Sequence, residues 1–307
     1  MLCNLTNLSG FYSTSLMVSA KKSFIPSLIS ELTPVMVNLS SISSAIDDAL
    51  FQKLLLASNP QDKARLLSAS APHAGDFLIC LPIPDLGLKL SKNEWSVAVG
   101  YRLGVNFLTS PMKCKATGCS KMLDVQALHA LRCGTEGDRL KRHNNLRNFF
   151  FNECRKAMMS PVLEPNNLLR NSSARPADWG IPDFRPGKFM AYDVAVTDPT
   201  QDAFVKFSSR TRGGAAETYA SETKVAKYSD ALRKDDSLLF TPIIAETYGA
   251  WNSKASDFFN DLSSWLATRD VSAKSSGIRS RLFQKASVII QRANSRMILS
   301  RIQTVCS

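Results

Sequence analysis

The sequence has no long hydrophobic run. None of the apolar stretches in its 307 residues is long enough to cross a bilayer. The first 22 residues have no leading basic region and are interrupted by Asn, Ser and Gly, so we expect no signal peptide. A Gly-rich phosphate loop is also missing, because Gly213-Gly214 stands alone before a predicted helix. These absences disfavour a membrane protein and a nucleotide-dependent enzyme acting on small molecules.

Negative charge is scarce as well. There are 38 Lys and Arg residues against 26 Asp and Glu residues, which gives a net charge of +12. This balance favours a polyanionic partner, most simply nucleic acid, although a basic surface also serves solubility. The segment 271–307 has no acidic residue, and its basic residues are Lys274, Arg279, Arg281, Lys285, Arg292, Arg296 and Arg301. This predicted helical tail can contact phosphates. Its basic residues can also be the solvated side of a helix whose apolar side packs on the core, and the two interpretations are compatible.

Cysteine and histidine are few and concentrated. Seven cysteines at uneven spacing do not form a secreted disulfide framework, so we expect a reducing compartment. Three of them and one of the three histidines follow a C-x4-C-x9-H-x3-C pattern, formed by Cys114, Cys119, His129 and Cys133. Zinc requires four such ligands in a tetrahedron. The pattern therefore predicts a zinc knuckle, with three unrelated buried thiols and a packed histidine as the structural alternative.

The order of apolar patterns predicts an α/β architecture. Residues 1–110 are mainly helical in pattern, with Pro60 opening one helix and a capping box formed by Ser91 and Glu94 opening another. The zinc knuckle occupies 111–135. Residues 136–266 then show a helix, three strands, a helix and a strand, which predicts one mixed sheet. The basic helical tail covers 267–307.

Carboxylates in apolar strands raise a question of chemistry. Asp193 lies inside the predicted strand KFMAYDVAVT, and a preceding strand offers Asp178 or Asp183 as its partner. A charge in such a strand is costly unless it is paired. Two carboxylates on adjacent strands, with a lysine from the next helix, are the components of a Mg²⁺-dependent nuclease site. Lys224 and Lys227, one helical turn apart, are the candidate lysines.

Several motifs carry a resemblance to a known family. In chain order they are DKARLLSASAPHAGDFL, the knuckle, KRHNNLRNFFF, RPAD, YDVAVTDP, ETYGAW and RANSRMILSR. Their order and spacing resemble the C-terminal region of polyproteins of non-LTR retrotransposons, which carry a restriction-like endonuclease of the PD-(D/E)xK superfamily downstream of a reverse transcriptase. The resemblance implies a nuclear protein that acts on DNA. It also implies element RNA and the reverse transcriptase region as partners, and catalytic Mg²⁺ or Mn²⁺ beside structural zinc.

The resemblance also assigns site residues. It implies that Asp178 and Asp193 are the two catalytic acids, that Lys224 is the lysine, and that Asp183 is a turn residue. Supporting positions are Glu164, Lys227, Arg142, His143 and Glu246. The nucleic-acid contacts expected in the tail are Arg292, Arg296 and Arg301.

The sequence also departs from the family pattern. TDP adds Asp198 beside the predicted site, and the knuckle's first loop is long. The polymerase signature Phe/Tyr-x-Asp-Asp is not found, so the chain is either part of a larger element protein or a relic. A relic that keeps the fold would bind nucleic acid without cutting it. The sequence thus predicts a metal-dependent DNA endonuclease, with an inactive zinc-containing nucleic-acid-binding protein as the alternative.

Overall fold

A computed structural model describes residues 39–169, 175–233, 235–270 and 274–302 of the chain. The chain divides after Asn59 into two units, Met1–Asn59 and Pro60–Ser307. In the first unit the described element is helix α1, and residues 1–38 of the predicted helical N-terminal region lie outside the described residues. The knuckle, the predicted endonuclease core and the tail belong to the second unit, which is not divided further. Within the described residues, no helix is long and apolar enough to span a membrane.

The predicted starts of two helices are confirmed. Helix α2 begins at Pro60, whose fixed φ suits the first helical position. Helix α4 begins after Ser91, whose side chain accepts a hydrogen bond from the Glu94 amide, while the Glu94 side chain accepts one from the Ser91 amide. The helices up to the sheet are α1 (Leu39–Ala57), α2 (Pro60–Ala69), α3 (Asp76–Ile79), α4 (Lys92–Leu103), α5 (Leu128–Arg132) and α6 (Asp138–Lys156).

The sheet has four strands in the order β3-β4-β5-β6, and it is mixed as the sequence predicts. Strands β3 (Val162–Leu163), β4 (Trp179–Arg185) and β5 (Lys188–Thr197) pair antiparallel, whereas β6 (Leu238–Glu246) runs parallel to β5. A two-residue turn joins β4 to β5, and Gly187 in it has a φ of 69°, which glycine adopts readily. The separate hairpin β1 (Met112–Lys113) and β2 (Met122–Leu123) belongs to the knuckle.

The connection between β5 and β6 contains one helix more than predicted. Helix α7 (Asp202–Ser208) comes first, and then a continuous helical rod runs from Gly214 to Arg233. The rod consists of α8 (Gly214–Thr218), a π-helical stretch (Tyr219–Val225) and α9 (Ala226–Arg233). The sequence predicts the rod as a single α-helix and predicts no α7. A π-helical turn widens the helix and often accompanies a functional residue.

Two layers of helices cover the sheet. One face packs an aromatic cluster in which Phe150 of α6 contacts Trp179 of β4 and Phe258 of α10 (Ser253–Ala267). The other face packs against the rod, where Ala216 and Ala220 meet Ile244 of β6. Side chains alternate between the two faces of a strand, so Tyr192 and Val194 fill the aromatic side while Asp193 points to the rod side.

The basic tail packs into the core and does not stand apart from it. It forms α11 (Ser275–Ile302), a central helix that packs against α10, α6, α5, α4 and α3. Ile278, Leu282 and Phe283 join the aromatic cluster, and Met297 and Ile298 join the core beneath the knuckle. Helix α11 has buried residues along most of its length, so it is a helix whose apolar side packs on the core, as the sequence allowed. Apart from the buried Arg301, its basic side chains lie on the other side of the helix.

Candidate functional site

The four predicted zinc ligands come together. The Sγ atoms of Cys114 and Cys133 are 3.9 Å apart, and the Cys119 Sγ lies 3.3 Å from His129 Nε2. All four ligand atoms lie within 4.8 Å of one another. A tetrahedron with Zn–S bonds of about 2.3 Å has S···S edges of about 3.8 Å, so the donor set and its spacing fit one zinc ion. The cluster could therefore bind structural zinc.

Local backbone geometry presents these ligands. Cys114 and Cys119 lie in the loop between β1 and β2, where Gly118 has a φ of 77° that lets the chain turn back after the first cysteine. The Cys114 amide donates to the Lys121 carbonyl and closes this loop. Helix α5 supplies His129, and the Cys133 amide that caps it donates to the His129 carbonyl.

Arg301 holds the knuckle from the end of α11. Its guanidinium is 1% exposed and lies 2.9 Å from both Glu136 Oε2 and Asp138 Oδ2. Glu136 in turn accepts a hydrogen bond from the Thr117 amide in the cysteine loop. Burial opposes ionisation of the Cys133 thiol, but hydrogen bonds from Thr135 and Arg301 outweigh burial and lower the pKa of Cys133 to about 7. The prediction that Arg301 contacts DNA is wrong, because this side chain is buried and paired.

A second group of ion pairs and hydrogen bonds joins the knuckle to the sheet. Arg132 at the end of α5 lies 2.5 Å from Asp198, which follows β5, and also donates to the Thr200 hydroxyl. Asp198 is 2% exposed and accepts hydrogen bonds from the Thr200 amide and hydroxyl. The extra acid in the TDP sequence therefore has a structural partner, and it fixes the end of β5 relative to the knuckle.

One predicted acid lies in a strand and the other directly before the neighbouring strand. Asp193 is within β5, and Asp178 immediately precedes Trp179, the first residue of β4. Trp179 pairs with Tyr192 in the antiparallel register of β4 and β5. The Asp178 amide also donates to the Tyr192 carbonyl, one residue out of step with that pair, so the regular ladder ends at Trp179. The negative charge of Asp178 contributes to raising the pKa of Asp193, as expected for neighbouring carboxylates.

The carboxylate of Asp178 is held at both oxygens. Oδ1 lies 3.0 Å from His143 Nε2, and Oδ2 accepts a hydrogen bond of 2.7 Å from the Val194 amide. His143 is half-buried near the start of α6, so the helix fixes where its ring can lie. The predicted supporting role of His143 thus has a specific contact, which the sequence motif did not identify.

Lys224 comes from the π-helical stretch and contacts Asp193. Its Nζ lies 2.6 Å from Asp193 Oδ2. Burial raises the pKa of Asp193 to about 6 although the lysine acts against this shift. Burial also opposes the charged form of Lys224, but Asp193 outweighs it and raises the pKa of the ammonium group. Lys227, the other candidate, is exposed and lies over the ring of Tyr228, so Lys224 is the lysine at the acids.

A cleft of about 460 Å³, here named the acid cleft, opens beside these residues. His143 and Lys224 line it together with the small side chain of Ala195. Arg139 and Tyr219 also line it, and neither residue stands in a motif that would have pointed to the site. The cleft therefore combines cationic side chains with a gap above β5, a combination suited to an anionic substrate.

Three other predicted residues do not bring their carboxylates to the pair of acids. The Glu164 amide donates to the Asp178 carbonyl, but the Glu164 carboxylate pairs with Arg147 and lies 3.8 Å from Arg175, so it is committed to arginines. Glu246 is fully buried and accepts a hydrogen bond from the Ala216 amide, which agrees with packing as its role. Asp183 is exposed at an irregularity of β4 with a φ of 48°, as expected for a turn residue.

Arg142 has an unusual environment. Its side chain is 3% exposed, and Nη1 donates to Asn294 Oδ1 of α11. Burial lowers the pKa of Arg142 to about 10. The residue lines the acid cleft and also a larger cavity between α6 and α11. It therefore supports the site by joining two helices.

The two predicted metal centres differ in their support. In the described part of the chain, the knuckle is the one group of three or more His, Cys, Asp or Glu side chains close enough to hold an ion. Asp178 and Asp193 offer the oxygen donors that Mg²⁺ prefers, but only as a pair that needs water and substrate oxygens to complete its coordination. Neither a scan against protein-family models nor a search of curated proteins finds a match to this chain.

Proposed function

We propose that this chain is the metal-dependent DNA endonuclease region of a protein derived from a non-LTR retrotransposon. In this proposal the four-stranded sheet is a PD-(D/E)xK core, which nicks target DNA by hydrolysing a phosphodiester bond. The observation that carries it is the clustering of Asp178, Asp193 and Lys224 beside one cleft, which Lys224 lines, with Lys224 Nζ 2.6 Å from Asp193. Positive charge on the surrounding side chains suits a phosphate substrate.

The residues beside the cleft have distinct roles in the proposed reaction. Asp178 and Asp193 would hold a divalent cation, which when bound supplies charge neutralisation at the phosphate and acidifies water. The Val194 amide and His143 keep the Asp178 carboxylate in one orientation. Lys224 balances the charge of Asp193 and offers an ammonium group to a developing negative oxygen. Zinc would keep the hairpin rigid beside this cleft.

The alternative is a nucleic-acid-binding relic without catalysis. One observation favours it, namely that Lys224 already pairs with the Asp193 carboxylate, so that a cation held by Asp193 would have to compete with this ion pair. Both proposals share the zinc knuckle and the basic surface. They differ in whether the acids still turn over substrate.

The experiment is plasmid nicking. Supercoiled DNA is incubated with the protein in Mg²⁺ or Mn²⁺, and conversion to the relaxed form is measured for the wild type, Asp193→Asn and Asp183→Asn. The endonuclease proposal expects nicking by the wild type and by Asp183→Asn and none by Asp193→Asn. DNA binding without nicking by any of the three supports the relic instead. Equal nicking by Asp193→Asn contradicts the site.

A further inference from the structure

Helices α6 and α11 enclose a trough on the side of α6 away from the acids. Two cavities, of about 970 and 650 Å³, meet at Asn145 and together follow the seam between the two helices. Lys141 and Asn145 line this α6–α11 trough, whereas His143 lines the acid cleft. Residues two positions apart lie about 200° apart around a helix, so the trough and the cleft open on different sides of α6, and the buried Arg142 side chain lines both.

The walls of the trough carry polar residues at helical spacing. On α6 the spacing of four, three, four and four residues aligns Lys141, Asn145, Asn148, Asn152 and Lys156. On α11, intervals of four, three and four residues align Lys285, Ile289, Arg292 and Arg296. The loop before α4 adds Lys89. The trough is therefore a built feature of two facing helices.

Positive charge dominates this surface because its lining has eight Lys and Arg residues against three acids. Each acid is paired: Glu94 lies 2.6 Å from Arg296, Asp138 lies 2.9 Å from Arg301 and 3.3 Å from Lys141, and Glu153 lies 2.7 Å from Lys156. Lys285 lies over the ring of Phe149 instead of beside an acid. The three asparagines are exposed and add neutral donors and acceptors between the cations. Alternating cations and amides match a row of phosphates and sugars.

We infer that the α6–α11 trough binds the backbone of double-stranded DNA outside the position of cleavage. The inference takes its partner class from the proposed function, but it does not depend on catalysis. The trough has Phe149 as its one aromatic lining residue, and that side chain is 6% exposed. Single strands are bound through stacking of unpaired bases on aromatic side chains, which this surface does not offer. A duplex keeps its bases stacked and presents its phosphates and sugars along the outside.

The length of the trough sets the extent of DNA that it can bind. From Lys141 to Lys156 the helix advances about 22 Å at about 1.5 Å per residue. Phosphates of one strand are spaced about 3.4 Å along the axis, so the trough spans roughly six nucleotides. DNA held there and DNA at the acids are separated by the width of α6, about 10 Å. The trough would thus hold the duplex on one side while the cleft acts on the other.

The test measures binding of a fluorescent 20-base-pair duplex by anisotropy across a range of salt, without added divalent cation. The variant Lys141→Gln/Lys156→Gln/Lys285→Gln is compared with the wild type. We expect weaker binding and a salt slope that falls by about 0.9 for each phosphate that the variant no longer neutralises. A second variant, Asn148→Glu, adds negative charge to the trough without removing a lysine and should also weaken binding. The control is Lys206→Gln/Lys254→Gln, which removes two charges from α7 and α10, so its salt slope is compared with that of the triple variant per charge removed.

An unchanged salt slope in the triple variant, or an equal weakening in the control, overturns the inference. Tighter binding of a single strand than of the duplex overturns the choice of partner. The outcome is separable from the proposed function. If the wild type nicks plasmid and the triple substitution leaves its DNA affinity unchanged, only this inference is contradicted. If the triple substitution weakens DNA binding but the wild type never nicks plasmid, only the proposed function is contradicted.

Discussion

At the scale of single residues, the proposed mechanism depends on which lysine meets the acids. Lys224 lies 2.6 Å from Asp193, and Lys227 is exposed one turn away. We expect Lys224→Ala to slow nicking by about 100-fold, because a cationic donor at the developing charge is removed. Metal affinity should not fall, since removing a cation beside two carboxylates removes repulsion. Nicking rates measured at saturating Mg²⁺ check the loss of rate, and the Mg²⁺ concentration that gives half of the maximal rate checks the metal affinity. Lys227→Ala, expected to act as wild type, is the control.

Glu246 provides a prediction on pH. Burial raises the pKa of this carboxyl above its ordinary value of 4.5. The folded chain then holds the proton more tightly than the unfolded chain, so Glu246 lowers the free energy of unfolding as the pH rises from 4.5 through the raised value. Gln cannot ionise. The stability of Glu246→Gln relative to the wild type should therefore increase with pH across this window and level off above it.

Urea unfolding at pH 4.5, 6 and 8 measures this difference at each pH for the two proteins. The exposed Glu222→Gln substitution on the rod is the control and should show no such trend. A stability difference for Glu246→Gln that stays constant over the three pH values would show that the buried carboxyl does not titrate differently in the folded chain.

At the scale of elements, the end of α11 supports the zinc hairpin. Arg301 pairs with Glu136 and Asp138 and hydrogen-bonds Cys133. Residues that orient metal ligands typically contribute 10-fold to 100-fold in affinity. We expect Arg301→Gln to weaken zinc binding about 10-fold, measured by competition with a chromogenic chelator. Arg296→Gln, on the exposed side of the same helix, should retain the affinity of the wild type.

Local patterns predicted elements better than contacts between them. The strand Lys188–Thr197 and the helix starts at Pro60 and after Ser91 follow from alternation and capping, which are properties of neighbouring residues. The π-helical turn around Lys224 was not predicted, because it depends on how the rod packs on β6. Arg301 was assigned to DNA because a run of basic residues does not indicate which side of a helix meets the knuckle.

At the scale of the whole molecule, α11 connects the parts that the sequence separates. It packs under the knuckle through Ile298 and under the sheet through Phe283. The predicted mixed α/β fold with one mixed sheet is confirmed, and the C-x4-C-x9-H-x3-C spacing correctly identified a cluster able to hold zinc. The proximity of Asp178 to Asp193 was also predicted, although Asp178 lies just before β4 and not within it. Its catalytic role stays a prediction, because carboxylates at one cleft serve structure as well as catalysis.

The endonuclease proposal requires the two acids to share one divalent cation. Electron paramagnetic resonance titration of zinc-loaded protein with Mn²⁺ counts the bound ions. We expect one Mn²⁺ in the wild type and in Asp183→Asn, and none in either Asp178→Asn or Asp193→Asn. Mn²⁺ binding that survives both substitutions, or a wild type that binds no Mn²⁺, would refute a shared metal site at these acids.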